Sequence, residues 1–277
     1  MMSAVKNKLE DRAPKRYLTC YSNLSPAVYG RPHINQHSAT DICSELPKWK
    51  RIQDIFYILI SLPVTLPLMA ALALWIKFVS RGPLLFRQKR IGLHEERFTL
   101  YKFRSMKMDA TDEHHRNHFQ NLVRSNRPMV KLDSLSDPRL LPGCCLLRAA
   151  GLDELPQLFN ILRGEMSLVG PRPCLVHELR HYSPEQRVRF SVLPGLTGVW
   201  QVHGRGRATF NEMNAMDEFY IHHMSPALDR SLIFRTPLTL LRHVRQALEH
   251  HRHAADKAKS VLSESAQISE YTSQRPR

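Results

Sequence analysis

Hydrophobic and polar positions divide the chain into unlike parts. Residues 1–47 mix charged, polar and isolated apolar side chains without a period, which reads as a poorly ordered tail. From Ile55 to Ile76, "IFYILISLPVTLPLMAALALWI", about 22 residues carry no charge, long enough to cross a bilayer. Pro63 and Pro67 interrupt that run, where each removes a backbone donor and crowds the preceding turn. Lys48, Lys50 and Arg51 precede it, and Lys77, Arg81 and Arg87 follow it. A spanning helix would put one of these basic flanks on the outer side, against the positive-inside bias. A helix that enters, breaks at the prolines and returns keeps both flanks inside, and this re-entrant form is favoured over a kinked transmembrane helix. Either form places the chain in a membrane.

Beyond the apolar run the periods are shorter. Residues 80–107 alternate apolar or aromatic residues with Arg and Lys, and "FTLYKF" predicts a short strand. Residues 109–136 are polar and predict one short helix followed by a loop. In "YSPEQRVRF", Ser183 suits an N-cap and Pro184 the first helical position. Pro194–Gly195 and Gly198 mark a turn-rich segment, and residues 209–223 predict a helix. "SLIFRTPLTLLRHVRQALEHHRH" sets apolar and basic residues at helical spacing, as a helix lying on an anionic membrane face would. Its His250, His251 and His253 read as a solvated helix end rather than a metal site. A polar tail closes the chain. The predicted class is α+β, mainly helical: a membrane helix-break-helix over 48–79, a small cytoplasmic domain with amphipathic interfacial helices over 80–250, and a tail over 251–277.

The formal net charge of +15 narrows the partners to anions: nucleic acid, anionic lipid or phosphorylated small molecules. No nucleic-acid recognition motif is present. The five cysteines, Cys20, Cys43, Cys144, Cys145 and Cys174, show no CxxC pair, which fits a reducing cytoplasm better than a disulfide framework or zinc site. The N-terminus lacks the apolar run of a signal peptide.

Chemistry concentrates in "GLDELPQLFNILRGEMSLVGPRP", residues 151–173. Leu152, Leu155, Leu158, Phe159 and Leu162 recur at helical spacing, predicting an amphipathic helix over 152–163 that Gly164 stops and that tolerates Pro156 near its first turn. Asp153 and Glu154 then sit at its N-terminus, where the helix dipole favours negative charge, and taken alone they are a helix cap. Their surroundings add weight: Arg148 lies five residues earlier and Arg172 follows, fixed between two prolines. A pre-set guanidinium suits bidentate phosphate recognition. A carboxylate pair among arginines can hold Mg²⁺ with substrate phosphates, and one carboxylate can act as a nucleophile on phosphorus.

These residues belong to an ordered series: "KRIQD", "FRQKRIG", "YKFRSM", "DPRL", "LDELPQLFNILRGEMSLVGPRP", "LPGLTGVWQVHGR" and "DEFYI", running from about Lys50 to Leu241. In that series the chain resembles the bacterial monotopic phosphoglycosyl transferases, the undecaprenyl-phosphate sugar phosphotransferases of the exopolysaccharide and capsule priming branch. The resemblance implies a re-entrant helix on the cytoplasmic face of the bacterial inner membrane, with Lys50, Arg51 and Asp54 where the chain meets the membrane and Pro67 at the break. Leu66 stands where the family has serine, leaving Thr65 or Pro63 to compensate. It implies a catalytic domain over 80–250. There Asp153 attacks the β-phosphate of a nucleotide sugar, UDP-linked by analogy, and passes the phosphosugar to undecaprenyl phosphate. Glu154 supports the metal or the proton handling, Mg²⁺ sits at Asp153, and Arg148, Arg172, Lys102 and Arg104 grip phosphate or nucleotide. Three departures are mild: "AAG" before the acids where Thr or Ser is usual, Glu165 for aspartate, and His203, placed near the substrate, for a small polar residue. Membrane lipids are the remaining partner, a homodimer stays open, and the sugar is not specified. Two rival readings remain: a membrane-anchored basic scaffold in which the acids only cap a helix, and a phosphohydrolase using the same metal site.

Overall fold

The computed structural model describes residues 46–107, 113–125, 127–129 and 140–273. The expected tail, up to residue 45, lies outside these residues, as do Cys20, Cys43 and the Asp137–Arg139 part of "DPRL". The chain is mainly helical with a small amount of sheet.

The apolar run is one helix, α1 (Lys48–Val79), with Pro63 and Pro67 inside it, long and apolar enough to cross a membrane. Its middle is open, with Val64 at 71% and Leu66 at 60% exposure, while each end buries some of its residues. Lys50, Asp54 and Ile58 are buried at one end and Ile76 at the other. Trp75 stands against Gly143, where an added Cβ would meet its ring at 2.8 Å. Both ends of the helix therefore touch the globular part. Beside the prolines, the hydroxyls of Ser61 and Thr65 donate to the carbonyls of Ile58 (2.9 Å) and Ser61 (3.0 Å), so Thr65 serves this turn although Leu66 has no hydroxyl to offer.

After α1 the alternating segment forms a hairpin, β1 (Leu85–Ile91) and β2 (Arg97–Phe103), running in register from Leu85 opposite Phe103 to Ile91 opposite Arg97. The predicted "FTLYKF" strand lies within β2. Helix α2 (Glu113–Ser125) follows, then α3 (Cys144–Ala149). Residues 152–163 are not the single amphipathic helix that their spacing predicts. A 3₁₀ turn, Leu152–Glu154, comes first, and α4 (Gln157–Leu162) begins after Pro156. Proline has no N–H for the ladder, so the helix restarts behind it. The buried face also differs: Gln157, Leu158, Asn160 and Ile161 turn inward, while Phe159 and Leu162 are 49% and 42% exposed. Asn160 explains the choice. Its amide donates to the Thr99 carbonyl (2.7 Å) and the Glu165 carboxylate (2.6 Å) and accepts from the Tyr101 N–H (3.1 Å), which seats α4 on β2. Arg51 caps the far end of α4 by donating to the carbonyls of Ile161 and Leu162.

Three short strands frame the prolines. β3 (Ser167–Val169) pairs in parallel with β5 (Gly195–Thr197), and β4 (Cys174–Leu175) adds to β1, giving the order β2-β1-β4 in the larger sheet. Between β4 and β5 the predicted helix start at Ser183 is realised as a 3₁₀ turn, Gln186–Ser191, with Ser183 and Gln186 exchanging backbone-to-side-chain hydrogen bonds. Helix α5 (Phe210–His223) carries a capping box between Thr209 and Glu212. Helix α6 (Pro226–Ser273) continues well past the amphipathic stretch, so the segment read as a polar tail is helical to Ser273. Phe234, Leu238 and Leu241 of α6 are exposed, and Phe234 meets Tyr57 of α1 edge-on at 6.2 Å.

The main core gathers Trp200, Phe210, Met213, Met216, Tyr220 and Leu232, and a second core joins Ile58 of α1 to Leu100, Leu158, Ile161 and Met166. The β3–β5 seam is the tightest joint. A Cβ on Gly195 would lie 2.1 Å from the Gly170 nitrogen and 2.4 Å from the Thr197 carbonyl, both backbone atoms that cannot swing away. Gly195→Ala is expected to lower stability by about 3 kcal/mol, at the upper end of overpacking costs, read as a fall in melting temperature of the purified protein.

Candidate active site

The acidic turn is built by Gly151, whose φ of +68° and close neighbour Leu240 leave little room for a side chain. From there the chain enters Leu152–Glu154, with the Glu154 N–H donating to the Gly151 carbonyl at 3.1 Å. Asp153 is 4% exposed, while Glu154 reaches Lys102 of β2 at 2.9 Å. Burial pushes the Lys102 ammonium down from its ordinary range, and Glu154, then Asp153, offset this.

Lys102, Glu154, Arg90, Arg172, Trp200 and Arg205 are among the residues lining a cavity of about 280 Å³, whose far wall comes from α6, including Thr236 and Leu240. Arg90 is 5% exposed, and its pKa is lowered to about 10, first by burial and next by the neighbouring Arg172 charge. Three guanidiniums and an ammonium thus line one space with Glu154 as the cavity's own carboxylate. Such a space favours an anion with several oxygens, a diphosphate above all. The Arg172 guanidinium lies 6.0 Å from the Trp200 ring centre.

The sequence-derived site residues do not all meet at the cavity. Lys102, Glu154 and Arg172 line the cavity. Asp153 lies within the turn beside them, on the side where it and Arg148 both act on the buried Cys144 thiol. That thiol is pushed up to about 11 by burial and then by Asp153, with Arg148 and Arg104 opposing. Arg148 donates to the Ser105 hydroxyl at 2.9 Å. Arg104 stands apart from the cavity lining: its guanidinium serves the Ser80 and Arg81 carbonyls, both at 3.1 Å, and fastens the end of α1 to β2. His203 is also outside the lining, and burial, then the Arg235 charge, push its imidazole down. At the membrane end, Lys50 and Asp54 are buried partners of β3: Asp54 accepts from the Ser167 hydroxyl and the Leu168 N–H, both at 3.0 Å. Arg90, Trp200 and Gln201 were not singled out in the sequence, although "FRQKRIG" and "GVWQVHGR" contain them.

Among the described residues, no three His, Cys, Asp or Glu side chains come together as a metal cluster. Asp153 and Glu154 are the carboxylates here that could hold Mg²⁺, which usually takes only one or two carboxylates and draws its other ligands from substrate phosphate and water.

Residues 46–243 match the bacterial sugar transferase family. The chain is similar to the undecaprenyl-phosphate galactose phosphotransferase of Salmonella typhimurium, with 35% identity over 201 residues, covering 70% of this chain and 40% of that protein. It is similar to the exopolysaccharide production protein ExoY of Sinorhizobium fredii, with 35% identity over 68% of this chain and 83% of that one. A third relative is the UDP-glucose:undecaprenyl-phosphate glucose-1-phosphate transferase of Caulobacter vibrioides, 38% identical over 69% of each chain. The chain thus spans well under half of the Salmonella protein's length.

Proposed function

The chain belongs to the bacterial sugar transferase family, and from that premise we propose that it moves a phosphosugar from a UDP-sugar to undecaprenyl phosphate at the cytoplasmic face of the bacterial inner membrane. One observation carries this reading: Glu154, next to the buried Asp153 on one turn, meets Arg90, Lys102 and Arg172 around a single cavity. The cations bind and orient the donor diphosphate and take up the charge that grows on its oxygens. A carboxylate oxygen of Asp153 forms a bond to the β-phosphorus, and the bond from that phosphorus to the bridging oxygen breaks, releasing uridine monophosphate. A phosphate oxygen of undecaprenyl phosphate then attacks the same phosphorus, restoring the carboxylate and yielding undecaprenyl diphosphate-sugar. Mg²⁺, when bound by Asp153 and Glu154 with the phosphates, supplies further charge neutralisation. Glu154, paired to Lys102, holds the acidic turn against β2.

We further read α1 as re-entrant, supported by its two basic flanks, its two prolines and the burial of both its ends on the globular part. That geometry keeps the cavity on the side of the membrane where nucleotide sugars are made.

The test is uridine monophosphate release from a panel of UDP-sugars, with and without undecaprenyl phosphate and Mg²⁺. Sustained release that requires the lipid, and that chelation reduces by at least about 100-fold, is expected for a metal-assisted phosphoryl transfer. Release that continues without lipid, with free sugar phosphate accumulating, points to the phosphohydrolase instead. Silence with every donor returns the chain to the scaffold reading.

A further inference from the structure

Pro171, Arg172 and Pro173 share one backbone N–H, because proline has none. Their carbonyls are what remains to hold them, and all three are taken. The Gly195 N–H donates to Pro171 at 2.8 Å, Arg189 to Arg172 at 2.8 Å and Arg90 to Pro173 at 3.0 Å. Arg189 is the unusual donor. It is 3% exposed, lies in the 3₁₀ turn after Ser183 and is not itself one of the residues lining the cavity. Asp217 of α5 pairs with it at 3.0 Å, Asn214 accepts from it at 3.3 Å, and it also donates to the Tyr182 hydroxyl, with the Tyr182 ring 4.6 Å away. Asp217 is 2% exposed and opens the "DEFYI" motif.

A buried ion pair of this kind contributes little net stability, since well-packed apolar residues of equal volume often do as well. Its geometry does something an apolar pair cannot. One terminal nitrogen of the guanidinium donates to the Arg172 carbonyl and lies 3.0 Å from the Asp217 carboxylate, while Arg172 itself lines the cavity.

We propose that Arg189, held by Asp217 and Tyr182, is a positioning residue that sets where the Arg172 guanidinium meets the donor phosphates. This rests on the proposed function, in which Arg172 binds the donor. It assigns work to "DEFYI" and "RVRF", which the chemistry itself leaves unused.

Arg189→Lys keeps the charge opposite Asp217 but lacks the fork. Its kcat/KM for the UDP-sugar is expected to fall about 10- to 100-fold, as small misplacements do. The loss should be carried by the donor KM, with the KM for undecaprenyl phosphate and the melting temperature close to wild type. In an Arg172→Ala background the same substitution should cost less than about twofold, because no guanidinium is left to place. If Arg172→Ala falls below detection, affinity for uridine diphosphate supplies the same cycle. Losses that multiply in the double variant, or an equal rise in both KM values, overturn the proposal. Tyr182→Phe removes only one hydrogen bond to Arg189 and decides the matter if Arg189→Lys does not fold. A loss confined to proteins that retain Arg172 supports the proposal; an equal loss, or none, in both backgrounds overturns it. A wild type silent toward every donor overturns the proposed function and this inference together, whereas an active wild type with multiplying losses overturns this inference alone.

Discussion

Asp153→Asn is expected to reduce uridine monophosphate release and lipid-linked product by about a thousandfold or more, while the protein stays folded and membrane-associated. The amide matches the carboxylate in shape, so the 3₁₀ turn and its Gly151 start are kept. It cannot supply the anionic oxygen that bonds to phosphorus. Glu154→Gln should be milder, about 10- to 100-fold, because it loses a charge-assisted bond to Lys102 and metal support but no reacting atom. The comparison has a specific purpose here. Glu154 is the acid that lines the cavity, whereas Asp153 is 4% exposed on the same turn. Incubation with a UDP-sugar but no lipid, followed by peptide mass spectrometry, should find the phosphosugar on Asp153. An adduct on Glu154, with Asp153→Asn keeping more than a tenth of its activity, would exchange their roles.

The membrane helix, the hairpin strand and the acidic pair were legible in the sequence because each rests on local signals: an uncharged run, an alternation, two neighbouring acids. The break at Pro156 was less so, because the leucine spacing on either side continues as if no proline were there. The inward turn of Asn160 was hidden for a different reason. Its partners Thr99 and Tyr101 lie some sixty residues away, and a polar residue without a visible partner reads as exposed. Arg90, Arg104 and Arg189 teach the same lesson about charge. In a chain with 40 Lys and Arg, composition does not say which guanidiniums face a ligand and which hold carbonyls. Arg104 holds Ser80 and Arg81, Arg189 holds Arg172, and Arg90 both lines the cavity and holds Pro173. Only pairing across the fold separates these roles.

Lys50→Met is expected to destabilise the protein by about 3–5 kcal/mol, the usual consequence of removing one partner from a buried ion pair. The Lys50 ammonium donates to the Val169 carbonyl at 2.8 Å and to the Tyr220 hydroxyl and the Asp229 carboxylate, both at 2.7 Å. All three of its protons are thereby used. The side chains of Lys50 and Asp229 are each 2% exposed, and the Tyr220 hydroxyl closes the set by donating to Asp229 at 2.8 Å. This one group joins the first turn of α1, the first turn of α6 and β3, which leads directly into Pro171 and Arg172. Burial already raises the Asp229 pKa above the ordinary carboxylate value, and Lys50 is the main influence opposing it. Without Lys50 the buried carboxylate should bind its proton more tightly still, whereas the unfolded chain ionises in the ordinary range. The folded state then holds more protons in that window, so stability of the variant falls as pH rises through it and returns as pH is lowered. Melting temperatures in lipid or detergent between pH 5 and pH 8 should show that slope for Lys50→Met and a weaker one for wild type. The double variant Lys50→Met/Asp229→Asn should recover part of the loss and reduce the slope, since the Asp229 charge is no longer left without its cation, while Asp54, the other buried carboxylate beside Lys50, remains. A Lys50→Met protein as stable as wild type at every pH would mean that the membrane helix is held without this ion pair, by its apolar contacts and the Arg51 and Asp54 hydrogen bonds, and that the site does not depend on this tie for its register.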